Sequence, residues 1–228
     1  MAMSALVRGV AKNNNAAIAG TAKIKIRRNV LAAVGAERAH VLDAYAGDGH
    51  MYRSVWHEAA TCIGCDLKFY PDERTAYVTD NRRLMRMLDL SRFSIFDLDA
   101  YGSPWEQLYI VAVRRALRPG ERIGIILTEG QGMKLKMGGM SLAMSALAGI
   151  HHYLPGLGGA QDELIERALQ RVAGMMNGAI AHRWEASGKS GSAMRYIGLV
   201  IDRKKTGSVE AAGGPAAEPD PPAVADAP

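Results

Sequence analysis

The stretch Val41-Leu42-Asp43-Ala44-Tyr45-Ala46-Gly47-Asp48-Gly49 decides the fold class. Residues 39–45 form a short apolar run that reads as a buried strand, and Gly-Asp-Gly after it reads as a tight turn. Glycines there let the backbone approach a ligand that a Cβ would exclude. Three positions after Gly49 stands Tyr52, where a dinucleotide fingerprint wants Gly or Ala. Nor does the chain contain the Gly-Lys-Ser/Thr of a P-loop at its required spacing.

Outward from this stretch, strand and helix patterns alternate. Residues 61–66, 75–79, 93–98 and 121–128 read as further strands. Helical patterns cover 51–58, 82–88, 105–117 and 161–180. Such alternation implies a parallel sheet with helices on both faces. Near the end, 182–187 and 194–203 flank Gly-Lys-Ser-Gly-Ser and predict an antiparallel hairpin. The expectation is an α/β, Rossmann-like sheet, mostly parallel and closed by that hairpin. Residues 131–160, rich in Gly and Met, show no clear period.

Charge divides the chain into three parts. Residues 206–228 hold seven Ala, five Pro and four acidic residues but no Lys or Arg, the composition of a disordered tail. The formal net charge of +5 therefore averages this acidic tail with a basic remainder. Residues 1–28 read as a basic arm, in which Lys23, Lys25, Arg27 and Arg28 are candidate phosphate contacts. That leaves 29–205 as the domain.

Other classes are excluded more simply. With 48% hydrophobic and 22% charged residues, the chain is an ordinary globular protein. Two cysteines cannot build a disulfide framework. Cys62-x-x-Cys65 lies within an expected strand, so a pair of buried thiols is expected rather than a redox or metal motif. His151-His152 has no matching carboxylates, and no metal is expected. No apolar run approaches the ~20 residues needed to span a bilayer. The first fifteen residues lack the apolar core of a secretion signal, which predicts a cytoplasmic protein.

In open α/β sheets, ligands bind beyond the C-terminal ends of the strands. Acids stand at each of those ends. Asp66 ends the second strand, where a carboxylate can accept hydrogen bonds from both hydroxyls of a ribose. Asp80 and Asn81 follow the third and are placed to meet the edge of an adenine. The fourth runs Asp97-Leu98-Asp99-Ala100-Tyr101-Gly102-Ser103-Pro104-Trp105. A carboxylate beside an aromatic at a strand end suits an exocyclic amino group on a base: the acid accepts its protons and the aromatic face holds the ring. Asp99 suits the first role and Tyr101 the second, with Trp105 as a further wall of the base pocket.

VLDAYAGDG at 41–49, GCD at 64–66 and TDN at 79–81 together resemble the cofactor-binding half of class I S-adenosylmethionine-dependent methyltransferases. The likeness covers residues 38–130 and, more loosely, continues to 203. It implies S-adenosylmethionine as cofactor, with Gly47 and Gly49 beside its methionine part. Asp43 would steady that loop, Asp66 would bind the ribose and Asp80 would face the adenine; Asn81 and Asp97 are counted with them. A closing antiparallel hairpin is also that family's habit. The fourth-strand segment is similar to the Asp-Leu-Asp-Pro-Tyr/Phe-Gly-Ser-Pro run of the tRNA guanine dimethyltransferases, with Ala100 in place of proline.

The resulting expectation is a methyltransferase acting on an exocyclic amino group of a nucleic-acid base, in tRNA, other RNA or DNA. Two alternatives stay open. One keeps the cofactor and changes the acceptor to a small molecule or protein side chain. The other is a non-catalytic, methyltransferase-like nucleic-acid-binding protein.

Overall fold

The structure, a computed structural model, describes residues 17–187 and 194–203. Its strands are β1 (His40–Asp43), β2 (Thr61–Asp66), β3 (Thr75–Val78), β4 (Ile95–Leu98), β5 (Arg122–Glu129), β6 (Gly178–Ser187) and β7 (Arg195–Arg203). They form one seven-stranded sheet in the order β3-β2-β1-β4-β5-β7-β6. The first five pair in parallel, and β7 runs antiparallel to both β5 and β6. This is the expected Rossmann-like sheet with its terminal antiparallel hairpin. The hairpin turn, with Lys189, and the acidic tail lie outside the described residues.

The helices are α1 (Ala17–Val34), α2 (His50–Ser54), α3 (Asn81–Met87), α4 (Trp105–Arg114), α5 (Gly132–Lys136), α6 (Leu142–Ala148) and α7 (Gln161–Met175). Both faces of the sheet are covered, which is why β4 is buried throughout and β5 everywhere except Arg122. On one face Trp105, Leu108, Leu169 and Val172 pack against Phe96 and Leu127. On the other, Val30, Leu31, Val34 and Trp56 pack against Val41, Ile95 and Ile126. No described helix is long and apolar enough to cross a membrane.

Three local expectations need correction. The boundary at residue 28 falls inside α1, whose buried positions from Lys23 onward are Lys23, Ile26, Arg27, Val30, Leu31 and Val34. That is the i, i+3, i+4, i+7 stripe of a core-facing helix. It packs over β5 and β7 at two glycines. A Cβ on Gly124 would come within 2.3 Å of Val30, and one on Gly198 within 2.5 Å of Ile26. Next, α7 stops at Met175 instead of running to 180, because Asn177 takes a left-handed conformation (φ 59°) and β6 starts directly after it. Finally, 131–160, where the sequence shows no clear period, contains α5 and α6, and an isolated bridge between Gly139 and Tyr153 ties the two halves of the segment to each other. Residues 1–16 of the expected arm are outside the described residues.

Candidate active site

The strand order reverses between β1 and β4, so their C-terminal ends flank a crevice. A cleft of about 460 Å³ opens there, with Lys23, Gly47, Asp66, Asp99 and Tyr101 in its walls. A second cavity of about 250 Å³ adjoins it, sharing Tyr45 and Asp66 and adding Asp80, Asn81 and Gln107.

The glycine loop is held from three sides. Gly49 has φ 80°, and a Cβ on it would meet the Arg74 guanidinium at 2.8 Å. Arg74 itself donates to the carbonyls of Ala46 and Gly47, both at 2.9 Å, while pairing with Asp72. Asp66 accepts the Gly47 N–H at 3.0 Å through one oxygen and the Lys68 N–H at 2.9 Å through the other. Arg74 carries no motif, and its part in the loop was not foreseen.

Asp80 caps α3, accepting the Arg82 N–H at 2.8 Å. Its ion pair with the Arg82 side chain holds its carboxyl down at about 2. Asn81 donates to the Ala44 carbonyl at 2.8 Å, so its own oxygen is the acceptor for Gln107 Nε2 at 2.9 Å. This fixes the Gln107 amide with its oxygen turned away from Asn81. Gln107 is buried, and its Oε1 has no partner among the described residues. A buried acceptor left unpaired in a cavity wall is costly unless a ligand completes it. Sequence reasoning passed over Gln107, which looks like any polar residue of an amphipathic helix.

Below the cleft sits a buried ionic cluster. Arg27 reaches Asp97 by two parallel bonds, Nε to Oδ2 at 2.7 Å and Nη2 to Oδ1 at 2.8 Å. Trp56 Nε1 also donates to Asp97 Oδ2, at 2.8 Å. Asp99 accepts from Lys23 through both oxygens at 2.8 and 2.9 Å, from Arg27 Nη2 at 2.9 Å and from the Thr128 hydroxyl at 2.6 Å. Burial works against the Asp99 carboxylate, yet Arg27 and Lys23 hold it below its ordinary value. Asp43, in register with Asp97 on the adjacent strand, completes the cluster. Burial, reinforced by the Asp97 charge, pushes Asp43 up to about 8. Near neutral pH it therefore keeps its proton, and the charges of Asp97 and Asp99 balance those of Arg27 and Lys23.

Several expected site residues stand elsewhere than foreseen. Lys23 and Arg27, expected to hold phosphates, are 4% and 1% exposed and are committed to Asp97 and Asp99. Lys25 and Arg28 are exposed. Asp97 is wholly buried behind the cleft rather than lining it. Trp105 is also fully buried, and its Nε1 donates to Glu129, so it offers no face to a base. Burial pushes Glu129 up to about 7 against the pull of its two donors, Gln131 N–H and Trp105 Nε1. Gln131 in turn bonds Ser103 and Ser141, tying the 99–105 loop to α6. Tyr101 is 74% exposed at the cleft. Of the two cysteines, Cys65 is buried and Cys62 only partly so.

No protein-family model and no curated protein matches the chain. Solved structures do. Trm1 from Pyrococcus horikoshii, in complex with S-adenosyl-L-methionine, is similar over 80% of this chain at TM-score 0.51 and 18% identity. The match covers 54% of that protein, so this chain spans about half its length. A hemolysin candidate from Lactococcus lactis is similar over 80% of this chain and 88% of its own, at TM-score 0.51 and 14% identity. With the strand order, the crevice and the closing hairpin, these likenesses identify the architecture: the chain has the class I methyltransferase fold.

Proposed function

We propose that this protein is an S-adenosylmethionine-dependent methyltransferase whose acceptor is an exocyclic amino nitrogen of a nucleic-acid base. One observation carries the reading: Asp99 and Tyr101 line the same cleft as Gly47 and Asp66. The loop suited to an amine and the loop suited to the cofactor face one space.

The residues present fit the cofactor. Gly47 and Gly49, both at positive φ, leave the loop without side-chain bulk. Asp66 borders both cavities, as a ribose partner would. Gln107 lines the smaller cavity with Asp80 and Asn81, and a small rotation of its amide would turn the unpaired Oε1 to an adenine amino group there. When bound, the cofactor supplies a methyl group activated by its sulfonium, so the protein's task is alignment.

Tyr101 offers its ring to the base. Asp99, held ionised, accepts a hydrogen bond from the amino group and steadies the positive charge that grows on nitrogen. Lys23 bridges both Asp99 oxygens, so releasing one of its two contacts frees a lone pair for the amine. A carboxylate with so low a proton affinity orients the amine and passes the proton on to solvent.

Tritiated-methyl transfer to tRNA, total RNA, DNA and free nucleosides tests the proposal. Label is expected in a polymer, lost in Asp99→Asn, with S-adenosylhomocysteine still bound by that variant. Label confined to small amines would reject the nucleic-acid acceptor. A second reading, a small-molecule or protein amine, draws on the internal pairing of Lys23 and Arg27, which removes two of the four expected phosphate contacts.

A further inference from the structure

A cavity of about 710 Å³ opens at the other end of the sheet, beneath the N-terminal ends of β1, β4 and β5. β5 separates it from the cleft by eight residues, roughly 25 Å of strand. Arg38, Arg92, Arg115, Arg122 and Arg203 line it, against the acids Glu121 and Asp202.

Two of these arginines are already balanced. Arg122 meets Asp202 through Nε and Nη2 at 2.6 and 2.7 Å, and Arg115 meets Glu121 at 2.9 Å. The other three are held less firmly. The Arg92 side chain is exposed, donates no hydrogen bond among the described residues, and has the exposed Asp89 as its charged neighbour. Arg38 meets only Glu37, at 3.2 Å, in a pair whose members are 77% and 74% exposed and which therefore holds it weakly. Arg203 gives Nη1 to the Asn177 carbonyl, but its Nε is buried with no acceptor. Along with Gln107 Oε1, it is one of two buried side-chain polar atoms left unpaired among the described residues.

We propose that this cavity binds phosphate groups, as a second ligand site distinct from the cleft. A planar guanidinium matches a phosphate oxygen pair, and five arginines against two acids around one cavity favour a multiply charged anion over a lone carboxylate. A polynucleotide backbone and the phosphate tail of a free nucleotide both present this chemistry. The inference stands whether or not the acceptor of the methyl group is a nucleic acid.

The test uses the full chain and a variant carrying Arg38→Ala with Arg92→Ala. Both side chains are exposed, so an unchanged Tm and unchanged S-adenosylhomocysteine affinity are expected. Binding of pyrophosphate is followed by calorimetry, and binding of a short labelled RNA by anisotropy at two salt concentrations. At least one ligand should bind about tenfold more weakly to the variant, and for RNA the salt slope should fall by about 2 as two phosphate contacts are lost. Loss confined to pyrophosphate assigns the site to a free nucleotide; loss of RNA binding assigns it to a polynucleotide backbone. Wild-type binding of neither ligand, or equal binding of both by the two proteins, would overturn the proposal.

Discussion

Arg27 Nη2 lies 2.8 Å from Asp97 Oδ1 and 2.9 Å from Asp99 Oδ2, so one guanidinium joins the buried acid behind the cleft to the acid inside it. Removing it leaves Asp97 charged, buried and paired only with Trp56. Arg27→Ala is expected to cost ~3–5 kcal/mol of stability, the usual penalty for breaking a buried pair from one side. Arg27→Lys keeps the charge but not the parallel bonds, and should fall between. Urea unfolding decides: a loss under about 1 kcal/mol for the alanine variant would mean the pair is not what holds α1 in place.

The Gln107 amide has one end paired and one end free. Gln107→Met keeps the bulk, removes the oxygen that has no partner, and also removes the Nε2 donor to Asn81. Affinity for S-adenosylhomocysteine should fall about tenfold, one hydrogen bond's worth, and stability should fall by about 1–3 kcal/mol as the Asn81 oxygen loses its donor. Calorimetry that finds unchanged affinity would place the adenine elsewhere.

Asp43 gives the protein a pH-dependent stability. Its folded value of about 8 lies far above the ordinary carboxylate range. Between about pH 4 and pH 8 the folded state retains a proton that the unfolded state has lost, so stability declines as pH rises through that window and levels off above it. Asp43→Asn cannot ionise and should lose this slope, becoming the more stable of the two at about pH 9. Matching denaturation midpoints across that range in both proteins would contradict the assignment.

Tyr101 is exposed, so replacing it should leave Tm alone. If its ring holds the base, Tyr101→Ala raises KM about tenfold or more, in keeping with ~1–3 kcal/mol per stacked base, and Tyr101→Phe retains activity. An alanine variant with unaltered KM would remove Tyr101 from the substrate surface.

The strand-end acids were readable because each ends a short apolar run and precedes a turn or cap, a purely local signal. Asp66, Asp80 and Asp99 all reach the crevice for that reason. Lys23 and Arg27 were misjudged because their burial depends on acids some 70 residues downstream. The stripe from Lys23 through Ile26, Arg27 and Val30 to Val34 has helical spacing, yet two of its inward positions are basic, and charge in sequence reads as exposure. Trp105 erred the other way: its place beside the loop motif suggested a pocket wall, but it starts a helix whose first residue faces the core. Residues 131–160 hid two helices of five and seven residues, too short to show a period.

The packing of α1 on β7 also has a consequence for how the chain matures. The first described helix closes against the last described strand, at Gly198, so its docking is a contact of very long sequence separation. Such contacts form late, because the intervening loop must be closed first. During synthesis, Asp97 and Asp99 emerge well before the strand that seats their basic partners. The neutralised cluster therefore waits on that late contact for half of its seat: a chain cut short of residue 195 would keep the packing of α1 on β5 at Gly124 and lose its packing on β7 at Gly198.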